Sequence, residues 1–271
     1  MIAASPSQPR PATRLRLPFR TWLALWTLVW LACLVALFSG LQFAFGPVHV
    51  HTITLDVGFM RGWWLFISAG VIITLELSVI SIACASVIAF LSALARISRV
   101  APLNSFAGLY ISLIRGTPLF LQFYFIYQGL AQFHIILSSF ISAAAALSLN
   151  YGAYMSEVFR AGIQAVSRGQ TEAASALGMT PWQTMYRIVL PQALRIVTPD
   201  IGNQFIAMQK DTALASAIAL EELTGRARQA GLPRNNFFEA LVIAAAWYWL
   251  LTIVFSYFQG RLEHSMAQGD R

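Results

Sequence analysis

Three residues of one apolar stretch could contact a polar solute. Tyr154, Glu157 and Arg160 are spaced three residues apart, so all three approach one face of a helix. A Glu and an Arg inside a membrane span need an aqueous or protein-lined environment. The spacing is consistent with two roles. The three side chains can line a substrate path, or Glu157 and Arg160 can form an ion pair that only orients the helix.

A second group of charges interrupts a later apolar stretch. Lys210, Asp211 and Thr212 stand between apolar residues, so we expect the helix to break there or to line a cavity. Glu76 lies alone in another apolar stretch, and its charge predicts that it faces protein or water instead of lipid. Glu76, Glu157 and Asp211 are also the residues that an ion-driven carrier could use as proton sites.

Several kinds of catalytic chemistry are missing from the sequence. A P-loop needs a Lys after Gly to reach nucleotide phosphates, but Lys210 is the only lysine and follows Met208-Gln209. The four His are at positions 49, 51, 134 and 264, with no nucleophile motif beside them. His49 and His51 would lie on one side of a strand, but no third metal ligand is near, so a solvated loop is the better interpretation. We therefore predict no enzyme activity, no metal and no cofactor.

The composition is that of a membrane protein. Apolar residues make up 58% of the chain and charged ones 11%, about half the charged share of a soluble domain. The net charge of +7 comes from arginines at the ends of apolar runs, which is the positive-inside pattern and does not indicate nucleic-acid binding. Cys33 and Cys84 both lie in apolar runs and are interpreted as small hydrophobes.

These patterns predict an all-α, polytopic transmembrane bundle of about six spans with both termini in the cytoplasm. A Pro-, Ser- and Arg-rich tail at 1–21 should be flexible, and 22–45 should form an additional first span. The main membrane domain is expected at 63–260, with a cytoplasmic connector at 100–116 and a partly buried outer loop at 221–236. The remaining spans are predicted at 63–94, 117–133, 140–159, 199–220 and 237–258, followed by a cytoplasmic tail at 261–271.

The polar stretch 167–196 between two spans predicts a pair of short helices. Ser167 and Gln170 have the spacing of a capping box, and Gly178 stands where a left-handed helix end belongs. Thr180 and Gln183 have the spacing of a second capping box, after which the second helix begins.

The second helix should be amphipathic. Trp182, Met185, Tyr186 and Val189 recur at helical spacing, and Pro191 is expected to end the helix. Such a pair would lie on the membrane surface and present side chains to a partner.

The chain resembles the permeases of ATP-binding-cassette importers at these residues. Glu172-Ala173-Ala174, followed by Gly178 and Leu190-Pro191, is similar to the EAA loop of that family. Three further stretches, IRGTP at 114–118, SLNYGAYMSEVFRAGIQ at 148–164 and QKDTALASAI at 209–218, look like the polar amino-acid branch. That branch carries histidine, glutamine, arginine, cystine and opines.

The resemblance implies a coupling loop at 161–198 that docks on a separate ATPase subunit. The implied coupling residues are Glu172, Ala173, Ala174, Gly178, Trp182, Leu190 and Pro191. The other implied partners are a periplasmic or surface substrate-binding protein, a second permease chain (identical or related), an amino-acid substrate and the lipids of the inner membrane.

The resemblance also places the stretch around Arg115 and Thr117 at the cytoplasmic end of the transport path. Thr117 and Pro118 are expected to cap and begin the third span. The candidate residues of the path are Arg115, Thr117, Tyr154, Glu157, Arg160, Lys210, Asp211 and Thr212. The alternative function is an ion-gradient-driven amino-acid carrier, but such a carrier has no use for an exposed, capped helix pair.

Overall fold

The computed structural model describes residues 19–45 and 48–268. The described residues up to Val57 form one compact unit, and those from Gly58 form a second, larger one. Most of the predicted N-terminal tail lies outside the described residues, and the part that is described is already helical because α1 begins at Phe19.

The first unit is a helix followed by a hairpin. Helix α1 (Phe19–Leu37) is apolar nearly throughout, and Gly40 has a positive φ of 71° after its end. Strands β1 (Gln42–Phe45) and β2 (Val48–His51) then pair antiparallel. Helix α1 therefore ends at Leu37, before the expected first span at 22–45 does, and β1 occupies the last four residues of that range. The side chains of His49 and His51 lie outside the described residues.

The second unit is helical among its described residues. Its helices are α2 (Val57–Ser68), α3 (Gly70–Ile97), α4 (Ala101–Arg115), α5 (Leu119–Tyr124), α6 (Ser139–Ala165), α7 (Arg168–Ala176), α8 (Pro181–Thr184), α9 (Leu190–Asp211), α10 (Leu223–Gly231) and α11 (Phe237–Gln268). Two π-turns, Phe125–Gly129 and Met185–Val189, and three 3₁₀ segments, Leu130–Phe133, Thr212–Ile218 and Leu232–Arg234, join or extend them.

Helices α3 and α6 form the centre of this unit. Both place small residues on the shared face, among them Ala85, Ala89 and Ala143, all fully buried. Gly152 of α6 is needed for the close approach, because a Cβ there would lie 2.8 Å from a side-chain carbon of Ile88. Small residues let the helix backbones approach closely, which is how membrane helices gain packing energy.

Two helices of the described chain are long and apolar enough to cross a membrane on composition alone. The first is Val57–Ile97, which comprises α2 and α3, and the second is Phe237–Met266 within α11. A third candidate is the pair Ala101–Arg115 and Leu119–Phe133, which is bent by 108°. Helices α6 and α9 are long but carry polar residues, so the six predicted spans are not distinguished by apolarity alone.

The predicted connector at 100–116 is helical. Helix α4 occupies this stretch and is apolar enough to form the first arm of the bent pair. Thr117 does not cap the next helix. Its hydroxyl instead donates to the Leu113 carbonyl at 3.0 Å, which closes the last turn of α4, and α5 follows Pro118.

Two details of the polar helix pair also differ from the sequence prediction. Ser167 makes no side-chain capping bond, whereas the Thr180 and Gln183 capping box is confirmed in both directions. Pro191 does not end a helix, because the π-turn Met185–Val189 continues directly into α9 and Pro191 is its second residue. The π-turn Met185–Val189 precedes it, and Gln192 Nε2 donates to the Ile188 carbonyl.

Glu76 lies on the exposed face of α3. It precedes Arg96 by twenty residues, which in an α-helix correspond to about 30 Å, the thickness of the hydrocarbon core. If Arg96 lies at one membrane surface, Glu76 would lie near the opposite surface and not at mid-bilayer. A carboxylate at that depth can reach water or lipid headgroups.

Candidate functional site

The break between α4 and α5 is held by a buried amide. Gln122 Nε2 donates to the Ile114 carbonyl at 2.8 Å and to the Thr117 carbonyl and hydroxyl at 3.1 and 3.0 Å. Its Oε1 accepts a bond of 3.1 Å from Asn150 Nδ2 on α6. Because the break leaves backbone carbonyls without helical partners, these bonds replace the lost ones and fix the bend against α6.

A cavity of about 540 Å³ opens beside this bend. Its volume is in the range of small-molecule sites. It is lined from three directions, by the bend, by the middle of α6 and by the C-terminal half of α9. The lining residues are Arg115, Gly116, Thr117, Pro118, Leu119, Asn150, Tyr151, Tyr154, Gln204 and Asp211.

Two opposite charges face this cavity. The guanidinium of Arg115 stacks over the Tyr154 ring, with Cζ 5.0 Å from the ring centroid. Asp211 Oδ2 accepts a 2.8 Å hydrogen bond from the Tyr151 hydroxyl. Each charge is therefore held by a tyrosine of α6, and neither forms a salt bridge with another described residue. A cavity with one fixed cation and one fixed anion is suited to a zwitterion.

The predicted path residues are divided between the cavity and its surroundings. Arg115, Thr117, Tyr154 and Asp211 line it. Thr212 is buried and donates to the Gln209 carbonyl at 2.7 Å, and Lys210 is exposed. The predicted break at 210–212 is confirmed, because α9 changes to a 3₁₀ segment at Thr212.

Glu157 and Arg160 lie one helical turn beyond Tyr154 and are not among the lining residues. They form an ion pair of 2.6 Å, and Arg160 Nη1 also donates to Gln164 Oε1 at 2.7 Å. The sequence spacing therefore correctly placed the residues on neighbouring turns, but the partners of Arg160 are Glu157 and Gln164 of α6 and not Asp211.

Four polar residues of the site were not predicted from the sequence. Gln122, Asn150, Tyr151 and Gln204 are uncharged, and residues of these types occur throughout the chain. The detectable signal was local: Asn150 and Tyr151 precede Tyr154 within one turn, and Gln204 precedes Asp211 by two turns on α9. Their convergence depends on how the helices pack.

The helix pair α7 and α8 presents an exposed apolar surface. Leu177, Trp182 and Tyr186 are 83%, 72% and 64% exposed, whereas Ala174 is buried against the rest of the unit. Gly178 between the two helices has a φ of 74° and open space around its Cβ position. Trp182 and Tyr186 are therefore exposed, as the sequence predicted for a helix pair that presents side chains to a partner, whereas Val189 of the same predicted stripe is buried.

The arginines of the outer loop are held by aromatic rings. Arg226 lies over Phe66 at 5.2 Å and donates to the Phe66 carbonyl, and Arg234 lies over Trp63 at 3.9 Å. Helix α10 is partly buried, as the sequence predicted. These contacts give Arg226 and Arg234 partners within the chain, and cation–π contacts of this kind are favourable.

No group of three or more His, Cys, Asp or Glu side chains within the described part of the chain could hold a metal ion. Cys33 and Cys84 are both exposed free thiols. The functional features of the described residues are therefore the polar cavity and the exposed helix pair.

Residues 85–268 match the family described as "Binding-protein-dependent transport system inner membrane component". The chain is 40% identical over 209 residues to the L-cystine transport system permease protein TcyB of Bacillus subtilis (strain 168), covering 76% of this chain and 88% of that protein. It is 37% identical to the arginine transport system permease protein ArtQ of the same strain, covering 76% and 94%. It is 39% identical to the octopine transport system permease protein OccM of Rhizobium radiobacter, covering 73% and 85%.

The fold is also found in solved structures. The chain superposes with a TM-score of 0.72 and 37% identity on a chain from the crystal structure of an amino acid ABC transporter with histidines, covering 79% of this chain and all of that one. A chain of the inward-facing MetNI methionine ABC transporter superposes with a TM-score of 0.66 at 17% identity, covering 76% and 98%, which supports the fold alone.

Proposed function

The chain belongs to the family of binding-protein-dependent transport system inner membrane components, and we propose that it is the permease subunit of an ATP-driven importer for polar amino acids. The observation that supports this substrate class most is the cavity with Arg115 on one wall and Asp211 on another. The substrate carboxylate binds the guanidinium, and the substrate ammonium binds the Asp211 carboxylate. The relatives named for cystine, arginine and octopine transport support the same class.

The remaining wall then recognises the polar side chain of the substrate. Asn150 and Gln204 offer amide donors and acceptors, and Thr117 offers a hydroxyl. Groups of this kind pair with guanidinium, amide or imidazole side chains alike. The cavity therefore fits the polar amino acids as a class and does not select one of them by charge.

Energy comes from a separate ATPase subunit. The coupling loop 161–198 docks on it through α7 and α8, with Glu172, Ala173, Ala174, Gly178, Trp182, Leu190 and Pro191 as the coupling residues. The exposed Trp182 and Tyr186 support this, because a large aromatic surface on a water-facing helix pair needs a partner. Closure of the ATPase subunits moves the loops together and switches the path from outward to inward.

The arrangement in the membrane follows from the charges. We propose six spans, with α1 as the additional first one, a second permease chain (identical or related) across the path, and a binding protein on the outer side. Both termini lie in the cytoplasm. Reporter fusions after Arg20, Arg99, Gly178 and Glu263 should report cytoplasm, and fusions after Val50 and Gly231 the periplasm. A cytoplasmic signal at Val50 would remove the additional span.

The function is tested by reconstitution. The chain is purified with the ATPase that accompanies it, placed in liposomes, and supplied with binding protein and labelled arginine, glutamine, histidine or cystine. Uptake should require ATP and persist after ionophores dissipate all ion gradients. Uptake that follows a proton or sodium gradient without ATP would instead support the ion-driven carrier.

A further inference from the structure

The chain between the cavity and α10 has an unusual backbone. Residues Thr212–Ile218 form a 3₁₀ segment of seven residues, whereas such segments seldom exceed three or four. The segment ends at Ala219, whose φ of 61° is left-handed although it is not a glycine. Both features are unfavourable for the backbone, so the segment depends on its surroundings to keep this conformation.

The same segment connects the linings of two cavities. Its first residue follows Asp211, which lines the polar cavity. Its end, at Ser216 and Ala219, lines a second cavity of about 190 Å³ together with Glu221 and Arg228 of the outer loop. Seven residues at about 2 Å each extend over roughly 14 Å, so this segment, the wall, runs from the lining of one cavity to the lining of the other.

A tyrosine of α5 ties this wall to the helix opposite. The Tyr124 hydroxyl donates to the Ala217 carbonyl at 3.2 Å. The ring of Tyr124 is fixed by an edge-to-face contact with Phe120 at 5.1 Å. Tyr124 stands at the end of α5, directly before the π-turn Phe125–Gly129, a kind of helix interruption that is frequent at functional sites.

A buried amide at the start of the segment has no partner in this arrangement. Gln209 is 1% exposed, and neither its Oε1 nor its Nε2 has a hydrogen-bond partner among the described residues. An unpaired buried amide destabilises the arrangement that contains it. A rearrangement of the 3₁₀ segment frees backbone groups next to Gln209 and admits water, either of which can pair with the amide.

We propose that Thr212–Ile218 is the outer gate of the transport path, that Tyr124 latches it closed, and that the unpaired Gln209 keeps the closed state ready to open. This inference rests on the proposed transport function. Tyr124 acts through the gate and does not touch the substrate, so it is a positioning residue.

The test measures access to the cavity from outside. In a chain with Cys33→Ser and Cys84→Ser, Leu119→Cys places one thiol in the cavity wall. The chain is assembled with its ATPase in right-side-out vesicles, and a membrane-impermeant maleimide is added outside. The rate of labelling then reports how often the gate is open.

Tyr124→Phe should label about two- to tenfold faster, the range expected for loss of one hydrogen bond. The matched control is Tyr127→Phe on the adjoining π-turn, whose hydroxyl has no hydrogen bond recorded among the described residues, and it should label at the parent rate. Gln209→Met removes the unpaired amide groups at similar volume, so it should label more slowly and transport more slowly.

Tyr124→Phe and Gln209→Met should change the labelling rate in opposite directions, which distinguishes a gate from general destabilisation. General destabilisation would speed labelling in both variants. An unchanged rate in Tyr124→Phe, an equal rise in Tyr127→Phe, or faster labelling in Gln209→Met would overturn the proposal. If one of the variants does not fold, the direction in which the other changes the labelling rate still tests the proposal. Uptake by the parent chain is measured separately, so a failed transport function is distinguishable from a failed gate.

Discussion

The Tyr151 hydroxyl and the Asp211 carboxylate are 2.8 Å apart, and their hydrogen bond joins the middle of α6 to the last residue of α9. Asp211 is also the last residue before the 3₁₀ segment. Its position therefore depends on both helices and on the segment, so binding at Asp211 is physically linked to the wall formed by that segment.

Tyr151→Phe should weaken substrate binding without abolishing it. The variant leaves the Asp211 charge in place but loses its orienting bond, so we expect about a two- to tenfold rise in Kd. The measurement is binding of the labelled amino acid to the purified permease and ATPase. Tyr110→Phe is the matched control, since its hydroxyl also donates to α6, at the Leu149 carbonyl, outside the cavity. Equal effects of the two variants would contradict a specific role of Tyr151.

Gly178 tests the geometry between α7 and α8. At a φ of 74° a β-branched residue is strained, whereas Asn adopts this conformation readily. Gly178→Val should therefore lose ATPase binding and transport, and Gly178→Asn should keep most of both. The space around the position is open, so loss in both variants would show that an unobstructed surface matters there and not the backbone conformation.

Trp182 should contribute strongly to ATPase docking. It is 72% exposed in the single chain, so Trp182→Ala removes little internal packing. A buried aromatic anchor of an interface is typically worth about 2 kcal/mol or more, which corresponds to at least about a thirtyfold loss of ATPase affinity. Phe133→Ala, at a residue that is 75% exposed elsewhere, is the control and should bind the ATPase normally. Normal binding by Trp182→Ala, measured by co-purification, would remove Trp182 from the interface.

The ion pair of α6 should be exchangeable. Glu157→Arg or Arg160→Glu alone leaves like charges one turn apart, so each should reduce uptake. The double exchange restores opposite charges at the same spacing, and Gln164 can donate to the new carboxylate. We expect it to recover most of the uptake, because neither residue lines the cavity. An inactive double exchange in a folded, ATPase-bound chain would instead support direct contact with substrate.

Local chemistry in the sequence predicted part of this structure well. Thr180 and Gln183 cap α8 as their spacing indicates, and the charges at Lys210 and Asp211 mark the end of α9. In both cases the relevant contacts lie within a few residues. The same local rules gave Pro191 and Thr117 the wrong roles, because each belongs to a turn of the helix before it. Thr117 hydrogen bonds to the last turn of α4, and Pro191 follows directly on the π-turn Met185–Val189.

The cavity itself depends on long-range packing. Gln122 reaches Asn150 from 28 residues away, and Tyr151 reaches Asp211 from 60 residues away. The residue pattern within one helix carries no information about such contacts between helices. Apolar patterning also does not separate α4 from a connector, because the sequence break at Gly116 and Pro118 resembles a helix start.

The central claim is that Asp211 receives the ammonium group of an amino acid. The most direct measurement compares the Kd of an amino acid and of its N-acetyl derivative for the purified permease and ATPase, with the native chain and with Asp211→Asn. Charged hydrogen bonds are worth about 1.5 to 3 kcal/mol, so acetylation should weaken binding by the native chain about ten- to 150-fold. It should change binding by Asp211→Asn only slightly, since the charge partner is already gone. An equal loss on acetylation in both chains would show that the ammonium group binds elsewhere.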